Sequence, residues 1–206
     1  MACNANCWCV VISISVIITA VVVVCVYFTT PSDPVFTIKD FYVSALNLSD
    51  ISSTNTAVNQ TIFFDMKLHN KNKAMGAYYD PVKIIFSYIP NIKLTFVVAE
   101  YTVPKFYQHQ QKSKHVIETV ASRGVVPYNR EITSSVFKVE VITKVGFTSP
   151  AYRKKGTVDV VANVRVDQTG VINPKKGIKL FESGVGGLGL QIGLLILSTA
   201  TILVVT

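Results

Sequence analysis

Three histidines, His69, His109 and His115, are the side chains best suited to acid–base chemistry near neutral pH. A histidine acts as a general base beside a serine and an acid, or it binds a metal through a ring nitrogen. The strand pattern places none of the three opposite both a serine and an acid. The spacing of His109 and His115 in a basic loop suits a metal site poorly, and no glycine-rich phosphate loop follows a strand. We therefore predict no catalytic residue, no metal site and no cofactor.

All four cysteines lie near the amino terminus, at Cys3, Cys7, Cys9 and Cys25. The rest of the chain has no thiol, so we predict neither a disulfide framework nor a cysteine metal site there. Cys3, Cys7 and Cys9 stand beside an apolar run, where each buried methylene of an acyl chain adds about 0.8 kcal/mol of membrane affinity. These three are candidate palmitoylation sites; the alternative is that they are ordinary small apolar residues.

The formal net charge is +8, from 20 Lys and Arg against 12 Asp and Glu. This balance favours an acidic partner, such as anionic lipid, an acidic polysaccharide or an acidic protein face. The basic residues of 112–114 and 153–155 are interpreted as solvated surface. Lys175, Lys176 and Lys179 precede an apolar tail and form a candidate membrane- or wall-facing basic patch. Near an anionic surface each lysine contributes about 1 kcal/mol.

Residues 8–28, WCVVISISVIITAVVVVCVYF, form a run without charge. At a rise of about 1.5 Å per residue, a helix of this length crosses a hydrocarbon core about 30 Å thick. A cleaved signal peptide, the alternative, has a basic start, a shorter apolar core and a small-residue cleavage site, and this sequence lacks them. We predict a transmembrane anchor over 8–28, a cytosolic segment over 1–7 and a linker over 29–34.

Residues 183–206 form a second apolar stretch, and small residues stand at its start. This layout is typical of a GPI-attachment signal, with Ser183 and Gly184 as candidate attachment residues; a second membrane helix is the alternative. Sequons at Asn47 and Asn59 are candidate N-glycosylation sites. They favour a domain outside the cytoplasm, where nucleic acid is not an expected partner.

Between these apolar ends, residues 35–182 alternate apolar and polar side chains with the period of β-strands. The clearest examples are residues 137–147 and 158–166. About seven strands, each with one apolar face, must hide those faces against each other in two sheets. The sequence predicts an all-β fold, an antiparallel β-sandwich of immunoglobulin or fibronectin-III type.

Some segments depart from the alternation. A slip at Lys39 and Asp40 resembles a β-bulge. Residues 102–122 are predicted to be irregular, because they are mostly polar and basic. Residues 149–156 are predicted to form a turn between the two clearest strands.

Three segments resemble the plant NDR1/HIN1-like family. Residues 69–80, HNKNKAMGAYYD, are similar to its Asn-Pro-Asn…Gly-x-Tyr-Tyr-Asp element, and residues 100–108, EYTVPKFYQ, to its Pro-x-Phe-Tyr-Gln element. Residues 175–179, KKGIK, resemble the closing segment of the NDR1 branch. Lys71 stands where the family usually has proline, and residues 167–170 stand where the NDR1 type carries an adhesion-like Asn-Gly-Asp.

The resemblance implies a late-embryogenesis-abundant type 2 domain at the plasma membrane, facing the apoplast and taking part in pathogen defence. The expected partners are membrane lipids, a defence-related protein, an acidic cell-wall polysaccharide and further copies of the chain. The two shared elements contain a candidate interaction motif, which comprises Tyr78, Tyr79, Pro104, Phe106 and Tyr107. If exposed together, these side chains would form a protein-binding patch; the alternative is that they pack in the core.

We expect a non-enzymatic, membrane-tethered defence protein that binds partners or links membrane to wall. The alternative is a carrier that holds a lipid or another small molecule in an apolar cleft between its sheets. An apolar cavity of roughly a few hundred Å3 would favour the carrier, and a filled core would favour the interaction protein.

Overall fold

The structure is a computed structural model that describes residues 4–47, 60–91, 94–125, 135–149, 152–172 and 177–183. Within these ranges the chain forms a long helix, α1 (Asn4–Thr29), a short 3-10 turn (Ser44–Leu46) and eleven strands. The strands are β1 (Val35–Val43), β2 (Thr61–His69), β3 (Gly76–Tyr79), β4 (Val82–Asn91), β5 (Leu94–Val103), β6 (Phe106–Gln108), β7 (Ser113–Ala121), β8 (Ser135–Ser149), β9 (Tyr152–Val166), β10 (Ile178–Lys179) and β11 (Phe181–Glu182).

Helix α1 is apolar on every side. Two of its polar side chains bond within the helix: the Ser13 hydroxyl donates to the Cys9 carbonyl at 2.8 Å, and the Thr19 hydroxyl donates to the Ser15 carbonyl at 2.8 Å. The stretch Trp8–Val26 is long and apolar enough to cross a membrane, and none of it is buried against the rest of the protein. In the part of the chain that the structure describes, it is the one helix of this kind.

The strands form two antiparallel sheets. The first has the order β10-β1-β2-β7, and the second begins β11-β9-β8. Two strand pairs then lie along β8: β4–β5 beside its first half and β3–β6 beside its second half. Pro81 separates β3 from β4, and Pro104 separates β5 from β6; proline has no N–H to donate to a strand ladder. The predicted sandwich is confirmed, and the count exceeds seven partly because these breaks divide two long strands.

Aromatic rings from both sheets fill the interior. The ring centroid of Phe41 lies 5.6 Å from that of Phe137 and 5.8 Å from that of Phe86. Phe64 and Phe86 are 5.0 Å apart. All four side chains are buried, so the space between the sheets is packed rather than open.

The irregularity predicted at Lys39 and Asp40 is confirmed. The register between β1 and β2 shifts between Ile38 and Asp40. One residue is therefore added to β1 without a partner on β2, which restores the apolar side chains to the inner face.

The predictions for two other segments were wrong. Residues 102–122 contain β6 and β7, and residues 149–156 contain the ends of β8 and β9. Strand β7 is an edge strand whose Val116 is buried while Ile117 is exposed, so little of it shows apolar alternation. The basic start of β9 pairs with β8, with Lys155 opposite Gly146.

The chain enters and leaves the sandwich at the same end. Val35, where β1 begins, and Glu182, where β11 ends, line one cavity of about 290 Å3. The opposite end of β1 is closed by a turn in which the Gly170 carbonyl accepts a hydrogen bond from the Val43 N–H at 2.8 Å. A Cβ atom at Gly170 would lie 2.5 Å from the Val43 oxygen, which explains glycine there.

Candidate interaction surface

Asn70, which follows β2, organises the end of the sandwich at which the chain enters. Its side chain is fully buried. The amide nitrogen donates to the carbonyls of Met75 at 2.9 Å and His109 at 3.2 Å, and the amide oxygen accepts from the Asn72 N–H at 3.0 Å. The Asn70 N–H donates to the Lys112 carbonyl at 3.0 Å. These bonds join two turns, residues 70–75 and 109–112, which we call the basic turns.

Asn72 fastens the linker to the first basic turn. The Ser32 N–H donates to Asn72 Oδ1 at 2.7 Å, and Asn72 Nδ2 donates to the Ser32 carbonyl at 2.9 Å. The same Nδ2 lies 2.9 Å from Asn70 Oδ1. We call the two bonds to Ser32 the asparagine clamp. The clamp satisfies both the N–H and the carbonyl of Ser32, as a neighbouring strand would. It thereby fixes the linker three residues after the end of α1.

Gln108 connects the second basic turn to the sheets. Its Nε2 donates to the carbonyls of Leu68 at 3.0 Å and Lys112 at 2.8 Å. Its Oε1 accepts a hydrogen bond from the Tyr79 hydroxyl at 2.9 Å. Burial raises the pKa of Tyr79 above its ordinary value, because the ionised form would lose its hydration. Both the Oε1 and the Nε2 atom of Gln108 are therefore hydrogen-bonded.

The predicted interaction motif is divided between the two faces of the second sheet. Tyr79 is buried and stacks on the half-buried Phe106, with centroids 4.5 Å apart. Tyr78 and Tyr107 point the other way, with 54% and 41% of their surface exposed and centroids 4.4 Å apart. We call Tyr78 and Tyr107 the tyrosine pair. Pro104 is exposed in the break before β6.

The tyrosine pair is held in place by its neighbours. The two residues are directly opposite each other on β3 and β6. Tyr107 lies across Gly76, where a Cβ atom would overlap the Tyr107 hydroxyl. The ring of His109 meets Tyr107 edge to face, with centroids 4.8 Å apart. The result is an exposed aromatic surface beside the second basic turn.

Lysines surround this end of the sandwich. Lys71, Lys73 and Lys112 are exposed in the basic turns, and Lys114 Nζ lies 4.5 Å from the centroid of Phe106. The basic patch predicted from the sequence comprises three other lysines. Of its residues, Lys179 is exposed on β10, with Nζ 5.4 Å from the Phe181 ring. The other two, 175 and 176, lie outside the described residues.

A comparison with curated proteins gives the family. The chain is 35% identical to Protein NDR1 of Arabidopsis thaliana over 162 residues, which cover 73% of this chain and 70% of that protein. The chain belongs to the NDR1-like family. The family membership that the sequence motifs indicate is thereby confirmed. A scan against protein-family models finds no match, so the late-embryogenesis-abundant type 2 domain stays a prediction.

The candidate modification sites of this NDR1-like chain are only partly described. Asn47 follows the 3-10 turn, half-buried, with its amide nitrogen 3.1 Å from the Tyr42 hydroxyl. Cys9 is exposed on α1, and the Ser183 N–H donates to the Asp159 carbonyl at 3.1 Å. The other candidates, Asn59, Gly184, Cys3 and the Cys7 side chain, lie outside the described residues.

Two histidines have partners that the strand pattern did not reveal. His69 Nδ1 lies 3.0 Å from Ser113 Oγ, and His115 Nδ1 lies 2.9 Å from Asp65 Oδ1. The histidine that contacts a serine is not the one that contacts an acid, so neither has the arrangement of a catalytic triad. Among the described residues, no group of three or more His, Cys, Asp or Glu side chains is placed to hold a metal.

Replacing Tyr79→Phe tests the Gln108 connection. At neutral pH we expect a loss of about 1–3 kcal/mol of unfolding free energy, because Gln108 Oε1 stays buried without its donor. In the native chain, stability should fall as the pH rises above about 10, since an unfolded tyrosine then ionises while the folded Tyr79 keeps its proton. The variant should lose stability less steeply over this range. Unfolding followed by circular dichroism at neutral and alkaline pH measures both effects.

The exposed Tyr78→Phe variant is the control for that experiment. It should keep the native stability at neutral pH, because the Tyr78 side chain is exposed. An alkaline decline of the same steepness in Tyr79→Phe and the native chain would show that Tyr79 does not resist ionisation.

Proposed function

We propose that this NDR1-like chain is a membrane-anchored protein of plant pathogen defence, active in the hypersensitive response, and that it works by binding rather than by catalysis. The similarity to Protein NDR1 over most of both chains is the observation that carries the defence role. Helix α1 supports the anchoring, since Trp8–Val26 has the length and composition of a membrane span.

The tyrosine pair is the proposed contact surface. Tyrosine is over-represented among the residues that dominate binding energy, because a large rigid ring loses little conformational entropy on contact. Tyr78 and Tyr107 present such rings to solvent, and Gly76 lets Tyr107 lie flat on the sheet. The partner is a defence-related protein or an acidic wall polysaccharide, and the net charge of +8 favours an acidic one.

The membrane arrangement is also a proposal. Helix α1 crosses the plasma membrane with the sandwich in the apoplast, Asn47 and Asn59 carry glycans, and Cys3, Cys7 and Cys9 are acylated. The shared end of β1 and β11 supports this arrangement, because a lipid tail attached near Ser183 would meet the same bilayer as α1. Release of acyl groups by hydroxylamine tests the thioesters.

A protease site inserted between residues 30 and 31 tests topology and tail together. In plant membranes, cleavage at that site followed by phosphatidylinositol-specific phospholipase C should release the domain. The released fragment should shrink on deglycosylation, and less so in an Asn47→Gln variant. Cleavage without the phospholipase should leave the domain bound. Retention after both treatments would indicate a second membrane helix instead of the lipid, and a domain without glycans would argue against the apoplast.

Expression in Arabidopsis plants that lack Protein NDR1 tests the function. We expect the chain to restore the hypersensitive response, and the Tyr78→Ala, Tyr107→Ala double variant to restore much less of it. The matched control is Phe96→Ala with Ile117→Ala, which removes two side chains of similar exposure (51% and 57%) elsewhere. Equal rescue by both double variants at equal abundance would exclude the tyrosine pair as the contact surface.

A carrier is the second candidate, and the cavity of about 290 Å3 favours it. Val35, Val158 and Val160 line its inner wall, and Phe181 lies at its rim, 64% exposed. This cavity is at the end of the sandwich, whereas the expected cleft lay between the sheets, where phenylalanine rings fill the space. Native mass spectrometry decides between the candidates: a stoichiometric bound lipid would establish the carrier.

A further inference from the structure

The linker is too short for the basic turns to lie far from the membrane. Helix α1 ends at Thr29, and Ser32 is already held by Asn72. Three residues of extended chain span at most about 11 Å. The interfacial layer outside the hydrocarbon core is roughly 5–8 Å thick on each side. If α1 crosses the bilayer, as proposed above, Asn72 and its turn therefore lie at or just above the lipid headgroups.

The charged residues of the two basic turns are all lysines, and the linker adds one acid, Asp33, beside Ser32. Two hydrogen bonds hold the basic turns together, from Asn70 N–H to the Lys112 carbonyl at 3.0 Å and from Gln111 N–H to the Asn72 carbonyl at 3.2 Å. Neither residues 69–79 nor residues 101–117 contain an Asp or a Glu. Lys71, Lys73 and Lys112 take no part in the four ion pairs found among the described residues. These exposed ammonium groups are thus not neutralised by those pairs.

We propose that the basic turns dock on anionic lipid headgroups of the bilayer that α1 crosses, with Lys71, Lys73 and Lys112 as the contacts. The inference rests on the proposed anchoring and adds an orientation: the asparagine clamp sets the distance, and the lysines set which end faces the lipid. A lysine near an anionic surface strengthens binding by a factor of about five. The turn at Gly170 would then be held away from the membrane.

The short linker favours the bilayer, rather than a soluble acidic partner, as the surface that the basic turns contact. A polysaccharide or a protein could reach any exposed basic residue, including Arg123 and Arg165 at other positions of the sandwich. The clamp keeps the basic turns next to the end of α1 whether or not such a partner is present. Charge and tether length therefore indicate the same occupant.

The test uses the full chain in lipid nanodiscs with one tryptophan as a reporter. Trp8→Phe removes the native tryptophan, and Gln110→Trp places one in the second basic turn. A second reporter, Gln168→Trp, is exposed in the turn at the opposite end of β1. The discs contain a lipid with a nitroxide headgroup, which quenches only nearby tryptophan. They are prepared from phosphatidylcholine alone or mixed with phosphatidylglycerol.

We expect phosphatidylglycerol to increase the quenching of the Gln110→Trp reporter and to leave the Gln168→Trp reporter unchanged. Lys73→Gln with Lys112→Gln should weaken docking roughly thirtyfold and abolish the increase. The control variant, Arg123→Gln with Arg165→Gln, loses the same charge from other exposed positions. It should keep the increase in quenching. High salt should also remove the increase, because the contact is electrostatic.

Three results would overturn the proposal. The first is equal quenching of both reporters, and the second is an increase that survives the Lys73→Gln, Lys112→Gln change. The third is a Gln110→Trp signal that responds to soluble polygalacturonate but not to phosphatidylglycerol. Failure of the membrane anchoring would give a separate result. The chain would then dissociate from the discs in alkaline carbonate.

Discussion

The hydrogen bonds of Asn70 and Asn72 hold the linker and both basic turns together at one end of the sandwich. Each amide offers donors and an acceptor, and these are directed to backbone groups of the linker and of both basic turns. A buried polar group without a partner costs about 1–3 kcal/mol, so such a network is favourable only when complete. The positions of the linker, Gln108 and the tyrosine pair are therefore coupled.

The sandwich supplies the rigid support for this network. Phenylalanine rings from both sheets fill the interior, and the antiparallel pairing fixes β3 and β6 so that Tyr78 faces Tyr107. The side chains alternate, so the neighbouring Tyr79 is directed inward to Gln108. One short strand thus contributes both to the buried network and to the exposed surface, which links the stability of the domain to its proposed contact site.

Much of the fold could be predicted because alternation reports directly on burial. Alternation predicts the strands β2, β8 and β9, and its interruption predicts the register shift at Lys39 and Asp40. It failed at β7, whose outer face and outer edge are exposed and leave Val116 as its one buried side chain. Alternation is lost where only part of one face is covered.

The site could be predicted less well because its parts are distant in sequence. The asparagine clamp joins residues 40 positions apart, and the bonds from Asn70 and Gln108 join residues 39 and 40 positions apart. Sequence analysis named both motifs but not their contact. The absence of acidic residues from both segments was visible in the sequence, yet only the fold shows that these segments meet.

Amide hydrogen exchange at Ser32 in the full chain tests the central claim most directly. In the native chain this amide should be protected by Asn72 Oδ1. Asn72→Ala should accelerate its exchange by roughly tenfold or more, because the bond is lost and the linker opens locally. Asn163→Ala, on the exposed face of β9, should leave the rate unchanged. A Ser32 amide that exchanges equally fast in the native chain and in Asn72→Ala would contradict the account.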